Sequence, residues 1–89
     1  MNELSQEARR FRQQKDEMEK QARQTVAFFL ISGIDLDDAL ASTGSERRRI
    51  TARIARLIER ERLKGVRRHW SYDINRHIAL KQALDRLIA

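Results

Sequence analysis

The residue types that catalyse reactions occur in this 89-residue chain, but their spacing does not predict a catalytic site. The serines lie where helices are expected to begin or end, and none is spaced to pair with a histidine and a carboxylate. His69 and His77 have no third ligand at metal spacing, and the chain lacks cysteine and a glycine-rich phosphate loop. The sequence therefore predicts no catalytic residue, no metal site and no cofactor.

Arginine is the residue type whose placement does predict a function. The chain has 19 Lys and Arg against 13 Asp and Glu, a formal net charge of +6. Residues 1–44 carry 6 basic and 8 acidic side chains, whereas residues 45–89 carry 13 basic and 5 acidic side chains. Because the planar guanidinium binds phosphate or carboxylate with two hydrogen bonds, the basic half indicates an anionic partner. Nucleic acid and an acidic protein surface both fit this description.

Many of these arginines recur at helical spacing. In a helix over residues 46–64, four of them would form one line along the outside, which we name the basic ridge. Like charges three or four residues apart repel, so an anionic partner would explain the pattern. The ridge consists of Arg49, Arg53, Arg56 and Arg60. The full set of predicted nucleic-acid-binding residues is Arg47, Arg48, Arg49, Arg53, Arg56, Arg60, Lys64, Arg67 and Arg68.

Three glycines divide the chain into four segments of helical periodicity. Gly33, Gly44 and Gly65 each follow such a segment, where glycine can close a helix in the left-handed conformation. No segment alternates like a strand, so we expect one all-α domain over residues 1–89, a small four-helix fold with a long N-terminal helix. The expected helices are 3–32, 36–43, 46–64 and 71–88.

The first of these helices has a thin apolar seam at coiled-coil spacing. Leu4, Phe11 and Met18 lie on it, and they are the predicted partner-binding residues. Lys15 also occupies a seam position, which argues against a tight coiled coil. We expect residues 1–20 to project or fray and residues 26–89 to form the packed core.

The second and third helices form the strongest motif of the sequence. Asp35 and Ser45 are suitable N-caps for them, and Gly44 lies in the turn between them. A short helix, a turn with glycine and a longer helix form the helix-turn-helix arrangement, in which the second helix enters the major groove. The stretch Ile50-x-x-Arg53-Ile54-x-Arg56-Leu57 within residues 36–65 resembles the recognition helix of winged-helix bacterial regulators of the Lrp or MarR kind. It also resembles the helix-turn-helix variant in regulators of conjugative elements.

This resemblance implies a small DNA-binding transcription regulator, acting as activator or antiactivator. A second interpretation is an adaptor that sequesters a partner protein through the basic helix or the first helix. A third is a homodimer held by the first helix. Trp70, beside Arg67 and Arg68, could stack on unpaired bases, but a lone tryptophan in a small helical protein is expected to anchor helices.

The longest apolar stretch, residues 26–31, is far shorter than the ~20 residues that cross a membrane. The chain also begins without a basic segment followed by an apolar core. We therefore expect no membrane contact and a cytoplasmic protein.

Overall fold

The computed structural model describes residues 2–89, which form four helices joined by short turns. Met1, the first residue of the predicted domain, lies outside the described residues. The described residues contain no strand, so the predicted small all-α fold is confirmed. The helices are α1 (Glu3–Ser32), α2 (Leu36–Ala41), α3 (Gly44–Val66) and α4 (Ile74–Ile88).

The ends of α1 and the start of α2 follow from local hydrogen bonding. The side chain of Asn2 accepts a hydrogen bond from the Ser5 amide at 2.8 Å and thereby caps α1. Gly33 closes the same helix with φ of 72°, as its position predicts. Asp35 caps α2 by accepting a hydrogen bond from the Asp38 amide at 3.1 Å, which confirms its predicted role.

The turn between α2 and α3 lies two residues earlier than predicted, because α2 ends at Ala41 and α3 already begins at Gly44. The N-cap of α3 is Thr43 rather than Ser45, and its side chain makes no capping hydrogen bond. Gly44 adopts φ of 59°, a left-handed conformation that other L-residues rarely take. The glycine thus makes the sharp entry into α3, and Ser45 belongs to the first turn of the helix.

The prediction that Gly65 ends the third helix is wrong, because α3 continues through it to Val66. Its lack of a side chain makes room for an aromatic ring, since an added Cβ would lie 3.1 Å from Cε2 of Tyr72. Arg68 adopts the left-handed conformation beyond the helix end instead, with φ of 53°. Helix α4 begins later than predicted, because Asp73 accepts a hydrogen bond from the Asn75 amide at 2.9 Å and acts as its N-cap.

The core is small, and all four helices contribute to it. Its largest fully buried side chains are Phe28 of α1, Leu36 of α2, Ile54 of α3 and Leu80 of α4. The predicted apolar stripe of α3 faces this core, with Ile54 at its centre and its other members half-buried. Those other members are Ile50, Leu57 and Ile58.

Most of α1 lies outside this core. Every residue from 2 to 23 is exposed, and the radius of gyration is 16.8 Å, whereas a compact domain of this length has about 12 Å. Within the apolar stretch at residues 26–31, only Phe28 is fully buried, because one helix face can meet the core at a time. Among residues 2–89, no helix combines the length and apolar character needed to cross a membrane.

Candidate nucleic-acid interface

Arg47, a predicted binding residue, is turned toward the protein and is half-buried. Its Nε and Nη2 donate to the carbonyl oxygen of Leu87 at 3.2 and 2.6 Å. Its Nη1 donates to the carbonyl oxygens of Leu40 and Ser42 at 2.9 and 3.2 Å. These acceptors lie at the C-terminal ends of α2 and α4, where carbonyls lack helical partners and the helix dipole is negative. Arg47 therefore joins three helices, and its guanidinium is occupied within the fold.

The sequence contained a signal for this placement. Arg47 lies three residues before Ile50, seven before Ile54 and eleven before Ile58, so it continues the apolar stripe of α3 rather than the basic ridge. Grouping it with the neighbouring arginines by sequence alone missed this difference in direction.

Two further members of the predicted set have partial internal partners. Arg53, which is otherwise exposed, donates through Nη2 to the carbonyl oxygen of Ser32 at 3.2 Å. Lys64 is half-buried, and its Nζ lies 3.4 Å from Oε1 of Glu61. Each side chain is therefore partly neutralised or held by the protein.

The remaining six predicted residues are exposed along α3 and the turn that follows it. Within residues 2–89, no carboxylate lies within ion-pairing distance of their guanidinium groups, and these groups donate no hydrogen bond. Most of the basic ridge is thus available to an anion from outside. The six are Arg48, Arg49, Arg56, Arg60, Arg67 and Arg68.

The surroundings of these arginines favour close approach by an anionic surface. Ala52 and Ala55 are exposed on the same helix and leave little side-chain bulk between the arginines. Glu59, an exposed carboxylate of α3, forms two hydrogen bonds with Arg62 at 2.7 and 2.9 Å. The hydrogen bond from Arg62 lowers the pKa of Glu59, and the same pair raises the pKa of Arg62. That carboxylate is therefore satisfied by an arginine outside the predicted set.

A buried carboxylate paired with two partly exposed cations was not predicted from the sequence. Glu61 is only 3% exposed, and its Oε1 accepts hydrogen bonds from Arg76 at 3.1 Å and Lys64 at 3.4 Å. Burial acts to raise the pKa of Glu61, but the hydrogen bonds from Arg76 and Lys64 outweigh it and hold the pKa below its ordinary value. The signal was its spacing, since Glu61 lies seven residues after Ile54 on the inward face.

The turn after α3 places an aromatic side chain beside the basic residues. Trp70 is 88% exposed, so the prediction that it anchors helices in the core is wrong. The turn lies beyond the end of α3, and the centroid of the Trp70 ring is 5.5 Å from that of the neighbouring His69 ring. Only His69 separates Trp70 from Arg67 and Arg68 in the chain, and this combination can stack on a base as well as bind a phosphate.

The predicted partner-binding residues lie on a different surface. Leu4, Phe11 and Met18 are exposed by 73, 68 and 70% along the projecting part of α1.

Among residues 2–89, no three His, Cys, Asp or Glu side chains are grouped closely enough to hold a metal ion. The chain matches no family model, no curated protein and no solved structure.

Proposed function

We propose that this protein is a small non-enzymatic regulator that binds duplex DNA through the outer face of α3. The observation that carries the proposal is the set of six exposed arginines that no carboxylate among residues 2–89 neutralises. Arginine side chains displayed along a helix of 23 residues, about 34 Å long, can reach several backbone phosphates. In its order of elements, the α2–turn–α3 unit fits the helix-turn-helix arrangement, and a cytoplasmic location would give it access to DNA.

Phosphate contact rather than base reading is the expected source of affinity. Arginine can read guanine, but α3 has no asparagine or glutamine to read adenine. If about five arginines each displace a counterion, the logarithm of the binding constant should fall with the logarithm of salt concentration with a slope of about −4.5.

The experiment is a gel-shift series with a random-sequence duplex at about 50 mM and about 200 mM salt. The double variant Arg49→Gln and Arg56→Gln should weaken binding and reduce the salt slope by about 2. The matched control is Arg9→Gln and Arg10→Gln, which removes the same charge from exposed positions of α1. Equal affinities for the two double variants would refute the proposed interface, and so would tight binding that does not respond to salt.

A second candidate function is an adaptor or antiactivator that sequesters a regulatory protein. The exposure of Leu4, Phe11 and Met18 favours it, and the basic ridge would suit an acidic protein surface. This candidate predicts negligible affinity for duplex DNA and a co-purifying protein that is lost on Phe11→Ala. The same gel-shift series separates the two functions, because only the first requires DNA binding.

A further inference from the structure

An apolar line runs along α1 on the side that the core does not use. With a rotation of about 100° per residue around the helix axis, the side chains of this line point within about 40° of one direction. Phe28 points to the core, more than about 90° around the axis from that direction. Phe11, Met18 and Phe29 are 68, 70 and 51% exposed on this line. We name it the α1 stripe, and its members are Leu4, Ala8, Phe11, Met18, Ala22 and Phe29.

We propose that the α1 stripe is covered by α1 of a second copy of this chain, which runs antiparallel to the first. The stripe spans residues 4–29, about 38 Å of helix, which is long enough for a two-stranded coiled coil. Its four large side chains expose on the order of 100 Å² each, which is about half of the ~800 Å² per partner of stable interfaces. The alanines of the stripe and the stems of the flanking side chains add to this area.

The side-chain sizes along the stripe favour the antiparallel direction. When the residue numbers of facing positions add up to 33, Leu4 faces the partner's Phe29 and Ala22 faces the partner's Phe11. Each aromatic ring then lies opposite a smaller side chain, which allows the two helices to interdigitate. In the parallel direction, Phe11 would meet Phe11 and Ala22 would meet Ala22, which alternates crowded layers with empty ones.

The charges beside the stripe favour the same direction. In the antiparallel register, Arg12 lies beside the partner's Glu19, and symmetry repeats this attractive pair. Lys15 faces the partner's Met18, so its stem contacts an apolar side chain while its ammonium group reaches water. The parallel direction would allow Glu7 to pair with Arg12, but it would place two Lys15 ammonium groups against each other within the seam.

This pairing would fix the distance between the two helical cores. Position 28, where each α1 enters its core, would lie about 35 Å from the same position of the partner along the coiled coil. One turn of B-form DNA is about 34 Å, so two copies of α3 could reach successive major grooves. This last consequence rests on the proposed DNA binding, whereas the self-association does not.

Sedimentation equilibrium measures the association itself. Wild-type protein should have twice the chain mass of 10.5 kDa, and Phe11→Asp should raise the dissociation constant at least about thirtyfold. Gln13→Asp is the matched control, because it adds the same charge at an exposed position on the other side of α1. Wild-type protein that remains monomeric at millimolar concentration overturns the proposal, even if α1 then binds a different protein.

Disulfide cross-linking of single-cysteine variants tests whether the two α1 helices run antiparallel, because the chain has no cysteine of its own. Leu4→Cys and Phe29→Cys, mixed and oxidised, should give a disulfide-linked pair of the two variants, while neither variant alone should link to itself. Self-linked Phe29→Cys without the mixed product overturns the antiparallel register. Cross-linking of the mixture without any gel shift would support the self-association while refuting the proposed function.

Discussion

Arg47 and Arg48 are adjacent in the chain, yet the structure predicts that their replacement has opposite consequences. Arg47 makes four hydrogen bonds to main-chain carbonyls at the ends of α2 and α4. Arg48 is exposed and makes no side-chain hydrogen bond within residues 2–89. Replacing each with methionine keeps an unbranched stem and removes only the guanidinium. Comparing the two variants therefore shows how the effect of losing a guanidinium depends on whether it points into the protein or into solvent.

The expected cost of Arg47→Met follows from the bonds that it loses. A hydrogen bond with a charged partner contributes about 1.5–3 kcal/mol. Two of the four bonds share the carbonyl of Leu87, and the site is half-buried, so water can replace part of the loss. We therefore expect a decrease in the free energy of unfolding of about 2–3 kcal/mol, and a decrease in Tm of roughly 10–20 °C for a domain of this size.

Urea and thermal unfolding followed by circular dichroism at 222 nm measure this difference. Arg48→Met should stay within about 0.5 kcal/mol of wild type, as is typical of exposed positions. In the gel-shift assay at a temperature where both variants are folded, the order should reverse, with Arg48→Met weakening DNA binding more. Equal stability of the two variants would contradict the role assigned to Arg47, and the helix ends would then not depend on its guanidinium.

Three other measurements test other parts of the structure. The pKa of Glu61 is held below its ordinary value, so its stabilising effect is present above the unfolded-state pKa near 4.5 and decreases as pH falls through the lower folded-state pKa. Glu61→Gln should therefore make stability less dependent on pH below about 5, measured by urea unfolding; an unchanged pH dependence contradicts this. Arg68→Gly should raise the free energy of unfolding by about 1 kcal/mol in the same assay, because glycine adopts the left-handed conformation without strain, whereas a decrease would contradict that account. Phe28→Ala should lower it by about 3–5 kcal/mol, since the ring is 1% exposed at the centre of the core, and a loss below 1 kcal/mol would show that this contact is not central.

Local chemistry was sufficient to predict the helices and several of their ends. Asp35 can cap α2 with its own side chain, and Gly33 can close α1 without strain, so neither needs a distant partner. The later boundaries were predicted less well. Gly65 was expected to close α3, but its missing side chain makes room for the Tyr72 ring, and α3 continues to Val66. Helix α4 begins at Ile74 because Asp73 caps it, which is a local signal that the predicted start at residue 71 missed.

The same division applies to the candidate interface. The sequence by itself determined that arginines recur at helical spacing on α3, since charge and period are local properties of the chain. The position of Arg47 on the apolar stripe indicated its inward direction, but only the tertiary structure supplied its acceptors, because the carbonyl oxygens belong to α2 and α4. The Arg76 side chain that pairs with buried Glu61 also comes from α4. The exposure of Trp70 was also decided there, because whether a side chain is buried depends on which elements pack around it, and the Trp70 side chain remains 88% exposed.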